Sequence, residues 1–471
     1  MRLRLLNLSG GPNPDYISVH EVLHVGTRWF KAVAAALPHA DRVGEDYSVT
    51  IRAGMTRQVW VSVNRPDLEA AAYTGAIELT AATGFCASVP VRLRVYPLRF
   101  PDQTTPLLGG WSDTNQQYNY GLTPENREAI IEHLQSHHVN APWATRSVLP
   151  PGEYDADGTM TVEPDTARFD EWRAIWPDAK MYMVFLAVDD TFTGSDIDTD
   201  TEVFKRKVGA WARFWAEHMR KLGLEPGQLG MLLVDGPRER EQYETVTAWA
   251  RAIEDAAPEL VTWEDPQPSH AEEHAVAMLG AVDVICPYRR NYYERGHWHR
   301  ELIAEMQAAG KDLWFYSADG PARSFDPLSY YLMQPWHASD VGAKGSCFWC
   351  FTDNGRVSSR NEYPAPGKGP YCPTYIDATS NTPAKYMEAI REGAEDYEYL
   401  TILRERVVEL EARGGDDDRV RAARALLDGA VARVMSIDLE PSYTWDQEKD
   451  RAVQDVVRIE ILQALTDLSG P

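Results

Sequence analysis

The sequence predicts an α/β protein: a (β/α)8 barrel preceded by an antiparallel β-sandwich and followed by helices. Three observations predict it. Residues 1–98 alternate apolar and polar side chains in period two between turn signals. From about residue 104, short apolar runs alternate with amphipathic segments, which is the pattern of repeated βα units. Beyond about residue 383 only helical periodicity remains. The domains so predicted are a sandwich over 1–98, a barrel over 104–400 and a helical segment over 401–471 packed on the barrel. A chain of 471 residues is too long for one core, which agrees with such a division.

The sandwich is read from a first strand near Met1–Gly10 and from the runs 47–52, 57–63, 75–81 and 87–96. Pro97-Leu-Arg-Phe-Pro101, with its two prolines, reads as the linker. Eight barrel strands follow, at 107–111, 139–143, 181–188, 230–235, 260–264, 282–287, 312–317 and 345–351. Thr123 is expected to cap a helix with Pro124 at its first position. Val208, Trp211, Trp215, Met219 and Leu222 repeat at helical spacing within 204–222. Further helices are predicted over 239–256, 271–279, 299–309 and 327–341, then 386–411, 417–435 and 446–468. Eight strands with intervening helices over this extent fit a barrel.

Composition narrows the partners. The 47 basic against 71 acidic side chains give a net charge of −24, which argues against nucleic acid and anionic membranes. No apolar run approaches the ~18–20 residues that span a bilayer. The N-terminus lacks an h-region and a cleavage site, so a cytoplasmic location is expected, or an exported one if a leader has been removed. Five cysteines do not suggest a disulfide framework. Cys347-Phe-Trp-Cys350 has large apolar residues between its cysteines and no second ligand pair, and reads as buried strand. His137-His138 and His297-Trp-His299 lack carboxylates at ligand spacing, and are expected to be exposed loop residues rather than a metal site. With no phosphate-binding glycine loop, no cofactor is expected.

In such a barrel the site forms where strands end at the C-terminal face. That places Trp111, Asp113, Trp143 and Arg146 after strands one and two, and Asp189 and Asp190 after strand three. Asp235 and Glu239 follow strand four, and Glu264 and Asp265 strand five. Tyr288 and Arg289 follow strand six, Tyr316 and Asp319 strand seven, and Trp349 and Asp353 belong to strand eight. Asp235 ends an otherwise apolar strand, where a carboxylate without a task is costly. Asp189 and Asp190 open a polar loop and read as solvated or capping. The 15 Trp and 22 Tyr supply surfaces on which sugars stack, although most must serve the core. Several carboxylates beside aromatic rings suit glycosidic bond cleavage, which needs a proton donor and a second carboxyl group at the anomeric centre.

Leu232-Leu-Val-Asp235-Gly-Pro237 resembles the strand-four signature of glycoside hydrolase family 123, where the motif ends Asp-Glu-Pro. Val282-Asp-Val, Leu313-Trp-Phe-Tyr316, Trp336 with Gly342-Ala-Lys-Gly345 and Trp349, and Glu388 to Leu400 extend the resemblance over roughly 100–405. It implies retaining β-N-acetylgalactosaminidase chemistry, in which the substrate's acetamido oxygen attacks the anomeric carbon. Asp235 would orient that group. The general acid's position falls on Gly236, which holds no proton to give. Glu239 or Glu264 could substitute. Asp235 could instead be acid or nucleophile on a sugar without an acetamido group, or the barrel could bind carbohydrate without cleaving it.

The residues expected at the site are thus Asp235, Glu264 and Glu239 for catalysis, and Trp111, Trp143, Arg146, Tyr288, Tyr316, Trp349 and Asp353 for the substrate. The expected partner is a carbohydrate, with homo-oligomerisation a further option. Arg391, Glu392, Glu395 and Asp396 are spaced for ion pairs that hold their helix to the barrel.

Overall fold

In the computed structural model the chain is described throughout except at residues 28–30, 65–67, 193–198, 200, 321, 356–359, 361–369, 415–416, 436–444, 446–449 and 470–471. The alternating N-terminal segments form β1 (Arg2–Leu6), β2 (Ile17–Gly26), β3 (Ala32–Ala36), β4 (Asp41–Val43), β5 (Asp46–Ser48), β6 (Gln58–Val63), β7 (Ala72–Thr80) and β8 (Cys86–Arg94). They make two antiparallel sheets, in the order β4-β5-β1-β7-β8 and β3-β2-β6. Leu3, Leu5, Ile17, Val19 and Tyr47 are buried between them, as period-two alternation requires.

The barrel strands are β9 (Leu107–Gly109) and β10 (Trp143–Thr145); after a small hairpin of β11 (Glu153–Tyr154) and β12 (Met160–Val162) come β13 (Tyr182–Phe185), β14 (Leu229–Leu232), β15 (Val261–Glu264), β16 (Val284–Ile285), β17 (Asp312–Ser317) and β18 (Gly345–Phe348). All eight ring strands are parallel, and β18 pairs with β9. A bridge from Gly109 to Ala141 completes the ring. The second strand, expected at 139–143, lies slightly later. Pro142 has no N–H to offer a ladder, so residues 140–141 pair with Leu108 before it, and 143–145 pair with β13 after it.

The ring's interior is filled by indoles. Trp143, Trp263 and Trp314 are buried within it, and Trp143 and Trp263 meet edge to face at 5.3 Å. Around it run α1 (Arg127–Ser136), α2 (Ala167–Ile175), α3 (Glu202–Lys221), α4 (Arg240–Ala256), α5 (Glu273–Ala281), α6 (Arg289–Glu294), α7 (His297–Ala308) and α8 (Met333–Val341). Helix α1 starts later than Thr123, yet the Thr123 carbonyl accepts from the Arg127 N–H at 3.1 Å, and its side chain accepts from the Asn126 N–H.

Among the described residues three helices follow: α9 (Lys385–Ala412), α10 (Asp418–Met435) and α11 (Ala452–Ser469); part of the last predicted helix, 446–449, lies outside the described residues. Helix α9 carries ion pairs at the expected residues, but most of them run within the helix or to α11 rather than to the barrel. Arg391 joins Glu388 at 2.9 Å and Glu395 at 2.6 Å, while Asp396 and Glu392 bind Arg458 of α11. Cys347 and Cys350 are buried free thiols as expected, although the strand ends at Phe348 and Cys350 lies in the turn that follows. Of the four histidines expected to be exposed loop residues, only His297 is exposed, at the start of α7. His299 is buried in α7, and His137 and His138 meet Glu388 and Glu395 of α9 at 3.2 and 3.3 Å, because the turn after α1 packs on that helix. No helix among the described residues is long and apolar enough to cross a membrane.

Candidate active site

Strand β14 is apolar through Leu233 and then bends, and at the bend Asp235 opens into solvent at the C-terminal mouth of the ring. Gly236 follows with φ of +60°, a left-handed conformation natural to glycine. Its N–H donates to Oδ1 of Asp265 at 2.7 Å. The Asp265 side chain also hydrogen-bonds that of Asp235, so two carboxyl groups face each other with one buried behind the other. Asp265 is buried, and desolvation together with the neighbouring Asp235 charge pushes its pKa well up. Burial and the shared hydrogen bond thus favour the protonated form of Asp265 within the pair. Although Asp235 reaches solvent, the cleft walls crowd it: desolvation raises its pKa, against the hydrogen bond from Asp265 and the charge of Arg238, which lower it.

Pleating explains the identity of this partner. On β15, Val261 and Trp263 face the ring interior, so Asp265 continues that face while Glu264 lies on the other. The structure accordingly places Glu264 fully buried, its Oε1 accepting from the N–H groups of Leu233 and Val234 at 3.1 and 3.0 Å. It braces the end of β14 and does not reach the cleft. Glu239 is the exposed N-cap of α4, its N–H donating to Gln242 at 3.2 Å, and points to helix initiation.

The aromatic candidates divide by depth. Trp143 lies below the mouth, stacked under Trp111 with centroids 4.7 Å apart. Trp111 in turn meets the edges of Tyr316 at 5.5 Å and approaches Trp349 at 6.0 Å. Tyr288 packs on Tyr316 at 5.3 Å, and the Tyr316 hydroxyl accepts from Gln267 at 2.6 Å. Trp111, Tyr288, Tyr316 and Trp349 thus form one aromatic wall, in which Trp111 and Tyr316 are buried and only Tyr288 and Trp349 are partly exposed. Asp353 is half-buried, its Oδ1 taking the Gly355 N–H at 2.9 Å. Tyr120, which the sequence did not single out, stands edge-on to Trp349 at 5.6 Å. The charges of Asp113, Asp353 and Asp235 all act on its hydroxyl.

Arg146 lies apart from this group. It lines a cavity of about 820 Å3 beside the mouth, with Asp189, Trp211 and Trp249. Asp235 is not on its walls, but its inner edge runs beside β14, where the Val188 N–H donates to Leu233. Asp189 and Asp190 are exposed, and Asp189 caps its own loop through the Thr191 N–H and hydroxyl. Among the described residues no group of three or more His, Cys, Asp or Glu is arranged to hold a metal.

No family model matches this sequence, and no curated protein matches it. The fold is similar to that of a family 123 glycoside hydrolase from Clostridium perfringens, studied for glycolipid glycan hydrolysis, with a TM-score of 0.65 and 14% identity. The match covers 99% of this chain and 90% of that one, sandwich and barrel together. A family 39 glycoside hydrolase from Bacteroides cellulosilyticus matches more loosely, with a TM-score of 0.40 and 10% identity over 83% of this chain and 80% of that one. At such identities the first likeness shows a shared fold, and the second carries no argument.

Proposed function

We propose that this chain is a glycoside hydrolase acting on a terminal sugar residue, with Asp235 as the carboxyl group that meets the substrate. The observation that carries it is the Asp235–Asp265 pair: a solvent-facing carboxyl group at the C-terminal mouth, backed by a buried one whose pKa is pushed up, beside an aromatic wall. The hydrogen bond from Asp265 fixes the orientation of Asp235 and keeps its proton-free form accessible. A carboxylate so held stabilises the positive charge that grows at the anomeric carbon, or orients the group that attacks there. Tyr288 and Trp349, half-buried above the buried Trp111 and Tyr316, offer ring faces on which a pyranose rests. The cavity beside Arg146 has room for the rest of the glycan. The likeness to the Clostridium perfringens enzyme supports the reading at the level of the fold.

The test is a panel of chromogenic glycosides, including N-acetyl-β-galactosaminide, β-galactoside and arabinofuranoside. At least one is cleaved, and Asp235→Asn abolishes that activity. Full activity in the variant removes Asp235 from the reaction. Gly236 favours a second reading, a barrel that binds carbohydrate without cleaving it, because the acid that resemblance assigns to that position is missing. Saturable sugar binding by the wild type without turnover on any glycoside would select it.

A further inference from the structure

Glycosidic cleavage needs a proton for the departing oxygen, and neither Gly236 nor the sealed Glu264 and Asp265 can bring one to substrate. The far side of the mouth can. Asp113 lies on the loop leaving β9, which in an eight-stranded ring stands across from β14 and β15. Its backbone adopts a φ of +33°, uncommon for a residue with a side chain, and strain of this kind gathers at working sites. Asn119 anchors one carboxyl oxygen, donating to Oδ2 at 2.7 Å, and the Asp113 carbonyl accepts from Gln116. Two residues before it, Trp111 belongs to the aromatic wall. Tyr120, seven residues after it in the same loop, stands edge-on to Trp349, and Asp113, Asp353 and Asp235 all lie within electrostatic range of its hydroxyl.

We propose that Asp113 is the proton donor of the reaction, acting across the cleft from Asp235; the proposal rests on the glycosidase reading above. The Asp113 proton passes to the glycosidic oxygen as the bond from that oxygen to the anomeric carbon breaks. The bonding pair leaves with the oxygen, and the aglycone departs as a neutral alcohol. Water finally supplies the hydroxyl group taken up at the anomeric carbon, and its remaining proton restores Asp113. Burial raises the Asp113 pKa to about 6, against the hydrogen bond from Asn119, so the group is protonated in mildly acid solution. The groups around it are Asn119, Tyr120 and Cys350, with Asp353 and Asp235 within electrostatic range of the same tyrosine.

The experiment compares wild type, Asp113→Asn and Asp113→Glu on two glycosides of the sugar that the panel identifies, one with a dinitrophenyl leaving group and one with an alkyl leaving group. A proton donor matters only for the poor leaving group. Asp113→Asn should therefore lose about 10²–10⁴-fold on the alkyl glycoside and far less on the dinitrophenyl one. It should also lose the basic limb of the pH profile, and Asp113→Glu should retain that limb. Thermal melts of all three proteins separate loss of fold from loss of chemistry, and a misfolded Asp113→Asn leaves the decision to the limb in Asp113→Glu. Equal losses on both glycosides, no loss on either, or a limb absent from Asp113→Glu overturns the proposal. A wild type that cleaves no glycoside removes the glycosidase reading itself, whereas an active wild type with an indifferent Asp113→Asn removes only Asp113.

Discussion

Asp265 holds Asp235 from behind, giving one carboxyl oxygen to the Gly236 N–H at 2.7 Å and sharing a hydrogen bond with the Asp235 side chain. Asp265 is a positioning residue, sealed from substrate. Asp265→Asn keeps a donor but no longer carries a titrating proton. Activity should fall by about 10²-fold through misplacement of Asp235, mostly in kcat, and the acid limb of the pH profile should move. A change confined to KM would show that the pair does not act on the reacting centre.

Gly236 does not readily accept an acidic side chain. A Cβ there would stand 3.3 Å from the Arg238 guanidinium and 3.4 Å from the Gln267 amide, at a φ of +60°. Gly236→Ala should cost roughly 1–2 kcal/mol for the left-handed backbone alone. Gly236→Glu should be destabilised as well and should not exceed wild-type activity. Chemical denaturation and the glycoside assay check both.

Arg146 faces the side cavity and not Asp235. Arg146→Ala should therefore raise KM for an extended glycan with little change in kcat, and leave a simple aryl glycoside almost unaffected. An equal effect on both substrates would place Arg146 at the reacting sugar.

The sandwich and barrel meet near a group of imidazoles that should make stability depend on pH. His133 of α1 has a buried Nε2 without a hydrogen-bond partner and lies 4.1 Å from the His137 ring, with His20 and Glu388 also in range. Desolvation first, then the His137 charge, lowers its pKa from 6.5 to about 3. The unfolded chain thus binds a proton that the folded chain refuses between those values, so stability falls as pH drops from 6.5 towards 3. Denaturation midpoints for His133→Gln should fall less steeply over that window than those of the wild type.

Asp396 is buried and gathers Arg458, Gln454 and the Trp336 indole N–H, which donates at 3.0 Å. Asp396→Ala leaves the Arg458 guanidinium without its main counter-charge and should cost about 3–5 kcal/mol. A lowered melting temperature with the glycosidase KM unchanged is the expected result.

Much of this was legible in the sequence, for identifiable reasons. The run ending at Asp235 is apolar because β14 is buried on both faces, and the eight strands stand out for the same cause. The same rule could have been carried one residue further on β15. The interior parity of Val261 and Trp263 points to Asp265, one residue beyond the strand's last residue, Glu264. Trp143 was expected at the cleft because it lies near a strand end; its depth depends on the stagger of β10, which Pro142 sets. Tyr120 and Gln267 carry no local signal, since loops that run over the rim are brought together by the ring rather than by spacing. The capping role of Glu239 could be read from Gln242 three residues on.

The parallel pairing of β9 with β18 has a bearing on how the molecule is made. Leu107 leaves the ribosome more than two hundred residues before its neighbour Gly345. Until then the nascent sheet carries two raw edges, and the indoles of Trp143, Trp263 and Trp314 have no lid on one flank. Glu398, whose carboxylate binds the Thr105 N–H at the threshold of β9, is translated later still. Ring closure is thus a late step of synthesis, and slow passage through the 345–398 region should lengthen the time during which the half-built sheet is open to aggregation or to a chaperone.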